Sequence, residues 1–347
     1  MSPVTPAEAD AAATHPRATT ALFGHAAAEQ ILLGAYRAGR MPHAWLISGP
    51  AGIGKATLAY RLARFVLAYP DPRATEVTAA QSLAVPSEHA VSRRIAARAQ
   101  GDLLTLERRL NEKTGKLLQD IAVDDVRRTV TFFGATAGEG GWRIAIVDSV
   151  DELNAAGANA LLKVVEEPPQ RALLLLVAHS PARVLPTIRS RCRVLALRGL
   201  DPPDVARAAA SALGRPPDDP EIVAAAAAAE GSVARAIALC GGPLLTVRDR
   251  VSALLAKVPS VDPRGLHALG DLLERAEREA FATFVETVQA WLSAELHRPP
   301  QNVARLAPLA EAWGRIDAAA RDVDTYNLDR RPFIFSVFGW LAEAARG

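Results

Sequence analysis

Two hydrophobic rhythms divide the chain. From Phe23 to about Leu197, stretches of helical periodicity alternate with short continuous apolar runs at Trp45–Ser48, Leu103–Leu106, Trp142–Val147 and Leu173–Ala178. Runs this short, unbroken by polar positions and flanked by helices, predict parallel strands buried on both faces of an α/β sheet. After Pro202 and Pro203 such runs stop and helical spacing takes over. Phe281, Phe284, Val285, Val288, Trp291 and Leu292 fall at i, i+3, i+4, i+7, i+10 and i+11, which is one apolar stripe of a helix. Gly241, Gly242 and Pro243 form a strong helix stop and split this half into an Ala-rich stretch, Val205–Cys240, and a longer helical region. The run Ala224–Ala229 reads as helix, because Ala is the best helix former. The expected organisation is a flexible tail over 1–20, an α/β domain over 21–200, a small helical domain over 201–243 and an all-α domain over 244–347. In the last of these, Phe333, Phe335, Phe338 and Trp340 make the apolar faces denser than a small bundle needs. Part of that surface is expected to be covered by partners.

Composition narrows the classes of partner. The 347 residues carry 40 Lys plus Arg against 38 Asp plus Glu, a net charge of +2, so the molecule as a whole is no magnet for nucleic acid or anionic membranes. Any basic function must be local. Cys192 and Cys240 give neither a disulfide framework nor a four-ligand zinc spacing, and reduced thiols are the default. The first 20 residues lack a basic segment followed by an apolar one, and no apolar run approaches the roughly 20 residues that cross a bilayer. The expectation is a cytoplasmic protein without a membrane partner.

The candidate chemistry begins at ISGPAGIGKATLAYRLA, residues 47–63. Gly49, Gly54 and Lys55 match the P-loop pattern G-x-x-x-x-G-K-[ST], and Gly52 adds a further point where the backbone can wrap an anion. A strand before it and a helix after it supply the setting the motif requires. The pattern then asks for the hydroxyl that holds Mg²⁺, and the chain has Ala56. Thr57 is no substitute, since one step along a helix is a rotation of about 100°. A second strand, Trp142–Val147, closes on Asp148, the place for a metal-binding carboxylate. A carboxylate that polarises water commonly follows; here Ser149 stands, which cannot accept a proton in that way. Asp151 and Glu152, further on, read as carboxylates stabilised at a helix N-terminus. A phosphate cradle with weak ATP or ADP binding, no hydroxyl ligand for the metal and no general base is the expectation.

Several segments carry a resemblance to a known family. GRMPHAWLISGPAGIGKATLA, WRIAIVDSVDELNAAGANALLKVVEEPP and LLLLVAHSPARVLPTIRSRC resemble the bacterial clamp-loader AAA+ subunits. The segment EKTGKLLQDIAVDDVRRTVTFFGATAGEGGWRIAIVD is most similar to the delta prime branch of that family in DNA polymerase III. The likeness runs from about Phe23 to Arg198 and weakly onward through EGSVARAIAL and YNLDRRPF. It implies an AAA+ RecA-like P-loop domain, a small helical lid and an all-α collar that joins five subunits. It also implies a subunit of the DNA-directed DNA polymerase III holoenzyme, a nucleotidyltransferase, that helps load the sliding clamp without hydrolysing ATP itself. The implied partners are the gamma/tau and delta subunits, primer-template DNA within the complex and, indirectly, the clamp.

Residue by residue, the resemblance gives Ser190, Arg191 and Cys192 as the SRC motif, whose Arg enters the neighbouring subunit's ATP site as an arginine finger. On its residues alone, Arg191 reads as a solvated Arg beside Arg189 and Arg193. His179 and Ser180 occupy the end of a sensor strand, where without hydrolysis a structural role is expected. Leu161, Leu162 and Val165 read as a helix packed on the sheet. The chain departs from the family in two ways. Many relatives carry a four-Cys zinc module after the P-loop, whereas residues 69–105 hold no cysteine, so no zinc and no required cofactor are expected. The lid Arg of motor subunits falls here at Ala234, with Arg235 one step later and on another helix face. The rival readings are an autonomous ATPase or gamma/tau-like motor subunit, and a generic DNA-binding AAA+ protein. Flat charge and the lack of a helix-turn-helix or aromatic platform speak against the last.

Overall fold

The computed structural model describes residues 15–108, 118, 120–134, 141–240, 244–274, 278–299, 303–326 and 328–346. The chain forms two compact units, Met1–Ile237 and Ala238–Gly347. Gly241, Gly242 and Pro243, the expected helix stop, lie outside the described residues, as does much of the segment around 109–117 and 135–140.

The first unit is built on five parallel strands, β1 (Ala44–Ser48), β2 (Leu103–Glu107), β3 (Arg143–Asp148), β4 (Ala172–Ala178) and β5 (Arg193–Ala196), in the order β2-β3-β4-β1-β5. Every residue of β1 and β4 is buried, as continuous apolar runs require of strands covered on both faces. Leu173–Leu176 have no exposed surface, and each contributes about 1.5–3 kcal/mol by leaving water. Helix Ala155–Glu166 packs Leu161 and Val165 onto one face, as its spacing predicts. The fifth strand was not predicted. It lies at the sheet edge, where Leu195 is buried while Arg193, Val194 and Ala196 are exposed, and its short apolar run, Val194–Leu197, was missed.

The registers bring three strand ends to one level. Ser48 of β1 pairs with Ala178 of β4, and Asp148 of β3 pairs with Val177 of β4. The loops after β1, β3 and β4 therefore meet at the carboxyl edge of the sheet, where ligands bind in open parallel sheets.

Residues 15–20, expected within a tail, are instead fastened to the unit. Arg61 and Arg64 on the buried face of helix Lys55–Ala68 reach their backbone: Arg61 donates to the Thr20 carbonyl, and Arg64 to those of Arg17 at 2.8 Å and Thr19 at 3.4 Å. Arg61 also pairs with Glu29 at 2.5 Å. Arg64 is 1% exposed, and burial pushes its guanidinium down to about 10, with the Arg61 charge acting in the same direction. Arg64→Ala is therefore expected to release residues 17–19. Hydrogen exchange should show faster exchange confined to that strap, with the strand amides unchanged.

The second unit is all-α, with helices Leu244–Leu255, Pro263–Glu274, Arg278–His297, Val303–Tyr326 and Arg330–Ala344. The predicted stripe is buried as read: Phe281, Phe284, Val288 and Leu292 lie in the core, with Val285 and Trp291 packed against it. The C-terminal aromatics divide between the core and its margin. Phe333 and Phe338 belong to this unit's own core, Phe335 packs on the His267 ring at 4.8 Å, and Trp340 lies under the Arg315 guanidinium at 4.8 Å.

Candidate nucleotide cleft and the SRC arginine

At the carboxyl edge of the sheet lies a cleft of about 720 Å³, within the size of small-ligand sites. It is bordered by the fastened segment 16–23, by Gly52 through Thr57, by Asp148 and His179, and by residues of the helices at 202–213 and 233–239. Gly52, Gly54 and Lys55 of the predicted cradle thus border one cleft with Asp148, while Gly49 does not border it. Gly54, at φ 99°, starts helix Lys55–Ala68, and Gly52 has φ 73°. A Cβ on Gly52 would collide with the Ser232 hydroxyl and the Ala234 methyl. Gly49 sits where β1 ends, and its N–H donates to the Ala178 carbonyl at 3.3 Å. Lys55 is 3% exposed and spans the loop, donating to the carbonyls of Gly49 at 2.7 Å and Pro50 at 2.5 Å. Burial lowers its ammonium to about 8, although Asp148 and Asp151 act in the other direction.

Three positions expected to take part in hydrolysis hold other side chains. Ala56 borders the cleft without a hydroxyl. Thr57 borders it too, so the helix turn does not remove that residue from the space. Ser149, which follows Asp148, donates to it at 3.1 Å and lies 3.3 Å from His179 Nε2, which links the carboxylate to the end of β4. Burial is the largest influence on Asp148 and raises it, against Ser149, His179 and Lys55. Ala234 faces the cleft, and its N–H donates to the Gly52 carbonyl at 3.2 Å. Arg235 pairs with Glu230 at 3.3 Å and does not border the cleft.

Asp151 departs from its sequence reading. It sits in a short 3-10 turn, Val150–Glu152, ahead of helix Ala155–Glu166, and its carboxylate accepts from the N–H groups of His179 at 3.1 Å and Ser180 at 2.8 Å. Asp151 therefore tethers the end of β4 rather than stabilising a helix terminus. Glu152 pairs with Arg108 at 2.8 Å. No local signal in the sequence joins residues so far apart.

Comparison with known proteins decides the family. The family described as DNA polymerase III, delta subunit, matches residues 24–201. The DNA polymerase III subunit delta' of Pseudomonas aeruginosa is 33% identical over 275 residues, covering 79% of this chain and 66% of that protein. The chain belongs to the DNA polymerase III delta prime family. The Escherichia coli subunit delta' is 31% identical over 234 residues, 67% of this chain and 64% of the relative. The gamma/tau subunit of Mycobacterium bovis is 36% identical over 167 residues, 48% of this chain and 26% of that protein. Each match spans less than two thirds of the relative's own length. The α/β unit with its P-loop and five-stranded parallel sheet has the AAA+ fold, followed by the helical region.

Residues 69–105 offer no thiolate, and His89 Nδ1 is engaged by the Val91 N–H at 3.2 Å. Among the described residues no group of three His, Cys, Asp or Glu side chains could hold a metal. In place of metal ligands, Val77, Leu83, Val85, Val91 and Ile95 are buried, and Glu29 accepts from the Leu83 N–H at 2.9 Å. Arg191 lies away from this chain's own cleft, 41% exposed, between helix Pro186–Arg189 and β5. Cys192 beside it is half-buried, and burial raises its thiol to about 11, which makes it unreactive. Among the described residues no helix is long and apolar enough to cross a membrane.

Proposed function

We propose that the chain is a non-hydrolysing subunit of the DNA polymerase III clamp loader. On this reading it helps place the sliding clamp on primed DNA and supplies Arg191 to a neighbouring motor subunit's ATP site. One observation carries it: Ala56, Ser149 and Ala234 border or adjoin one cleft, so the metal ligand, the base and the lid cation are missing together. An exposed guanidinium stands ready outside that cleft. The alternative, an ATPase acting on its own, needs the chemistry these three positions lack. The proposed partners are gamma/tau and delta subunits, with primer-template DNA held by the complex. Residues 201–243 act as a lid and 244–347 as the collar that joins the ring.

The cleft itself is proposed to hold ATP or ADP weakly through the loop amides and Lys55. Affinity is expected to be nearly the same with and without Mg²⁺, because no hydroxyl holds the metal beside the phosphates. Calorimetric titration tests this, and sub-micromolar, Mg²⁺-dependent binding would sink it. The pH dependence has a definite sign. With Lys55 lowered to about 8, its charge is present at pH 7 and lost as the pH rises past 8. Nucleotide affinity should therefore fall between pH 7 and 9, and a Lys55→Ala variant should lose this dependence. Equal affinity at the two pH values in the unsubstituted protein would contradict it.

A further inference from the structure

Arg191 is not a free side chain. Its NH2 group meets the Glu166 carboxylate at 2.9 Å, while its NH1 group donates to the Thr187 carbonyl at 3.0 Å and lies 3.5 Å from the Ser190 hydroxyl. Two nitrogens gripped from two different elements fix the plane of the guanidinium and leave its other N–H groups unspent. The flanking basic residues are engaged elsewhere: Arg189 donates to the Pro181 carbonyl, and Arg193 lies over the Trp45 ring at 5.1 Å.

Stability does not explain the pair. Both side chains are exposed, Glu166 at 47%, and an ion pair of that kind adds little to folding. Glu166 is also the last residue of helix Ala155–Glu166, where the helix dipole disfavours a carboxylate. Its position is unfavourable locally and becomes useful only through the cation it orients.

We infer that Glu166 is a positioning residue for Arg191, holding the guanidinium in its working orientation before the neighbour's nucleotide arrives. The inference rests on the reading of Arg191 as a finger acting in trans. Pre-ordering removes the entropic cost of fixing a long side chain at the moment phosphoryl charge develops, so its loss lowers kcat and leaves KM for ATP unchanged.

The test uses reconstituted complexes, with clamp and primed DNA present and the other ATP sites silenced. Glu166→Ala is expected to assemble normally and to lower kcat at the adjoining site roughly 3- to 10-fold, the range for immobilising one long side chain. Glu166→Gln, which keeps an acceptor for the NH2 group, should restore most of the rate. Glu166→Ala combined with Arg191→Ala should be no slower than Arg191→Ala alone, because Glu166 acts only through Arg191. If Arg191→Ala slows the site while Glu166→Ala leaves it unchanged, faster, or additively slower in the double variant, the positioning role is wrong and the finger stands. If Arg191→Ala itself has no effect, both readings fall together.

Discussion

Replacing Arg191 by Ala is expected to leave the assembled complex intact and to slow ATP hydrolysis at one adjoining motor subunit by a large factor. The side chain is exposed and lies outside this chain's cleft, so its removal opens no core cavity and unpairs no buried charge. What disappears is a planar, permanently charged donor set that can spread over the developing charge on a transferring phosphoryl group. Where arginine fingers have been dissected in GTPases, the contribution is about 10³ to 10⁵ in rate. Arg191→Lys should fail as well. An ammonium places its charge at a point, and it has no plane for the Glu166 and Thr187 contacts to fix. Clamp loading onto primed DNA should slow with hydrolysis, while gel filtration of the complex shows unchanged subunit ratios. A variant complex that falls apart would instead make Arg191 an assembly contact.

The second large effect is expected in the helical unit. Phe284 has no exposed surface and packs beside two other rings, Phe281 at 6.3 Å and Phe333 at 6.0 Å. Truncation to Ala removes the ring's transfer free energy and leaves a cavity in a close-packed core, a loss of about 3–5 kcal/mol. That is a large share of the roughly 5–15 kcal/mol that holds a typical domain together. Denaturant unfolding of Phe284→Ala should show a clearly lower midpoint, and the variant should enter the complex poorly if 244–347 is the collar. A stability change below about 1 kcal/mol would mean that the ring is not packed as described. The same substitution at exposed Tyr326 should cost little, since that ring is 70% exposed.

How much of this was legible in the sequence follows from where each signal resides. Strands β1, β3 and β4 were readable because burial on both faces forces an unbroken apolar run; β2, an edge strand with one buried residue, still shows its run at Leu103–Leu106, and β5, at the other edge, shows one at Val194–Leu197 that was missed. The cradle Gly49, Gly52, Gly54 and Lys55, its missing partners at Ala56 and Ser149, and Asp148 were legible because spacing fixes their positions relative to one strand and one helix. The strap at 15–20 was misread as tail. It is held through backbone carbonyls, which carry no side-chain signature, and the available clue was two arginines, Arg61 and Arg64, on the buried face of the P-loop helix. Asp151 and Glu166 were out of reach for a different reason. Their partners, the N–H groups of His179 and Ser180 and the guanidinium of Arg191, are brought to them only by the strand order and the loops that follow it.

The central claim is that this chain completes a neighbour's ATP site rather than using its own. Its most direct test is the steady-state ATPase rate of reconstituted complexes, with clamp and primed DNA, carrying Lys55→Ala or Arg191→Ala in this subunit alone. Among the described residues Lys55 is the one ammonium bordering this chain's cleft, and on the proposed reading a cleft without the P-loop hydroxyl and the general base has no turnover to lose. The account predicts that Lys55→Ala changes the rate little while Arg191→Ala removes the adjoining subunit's contribution; a crippled Lys55 variant beside an unaffected Arg191 variant would contradict it.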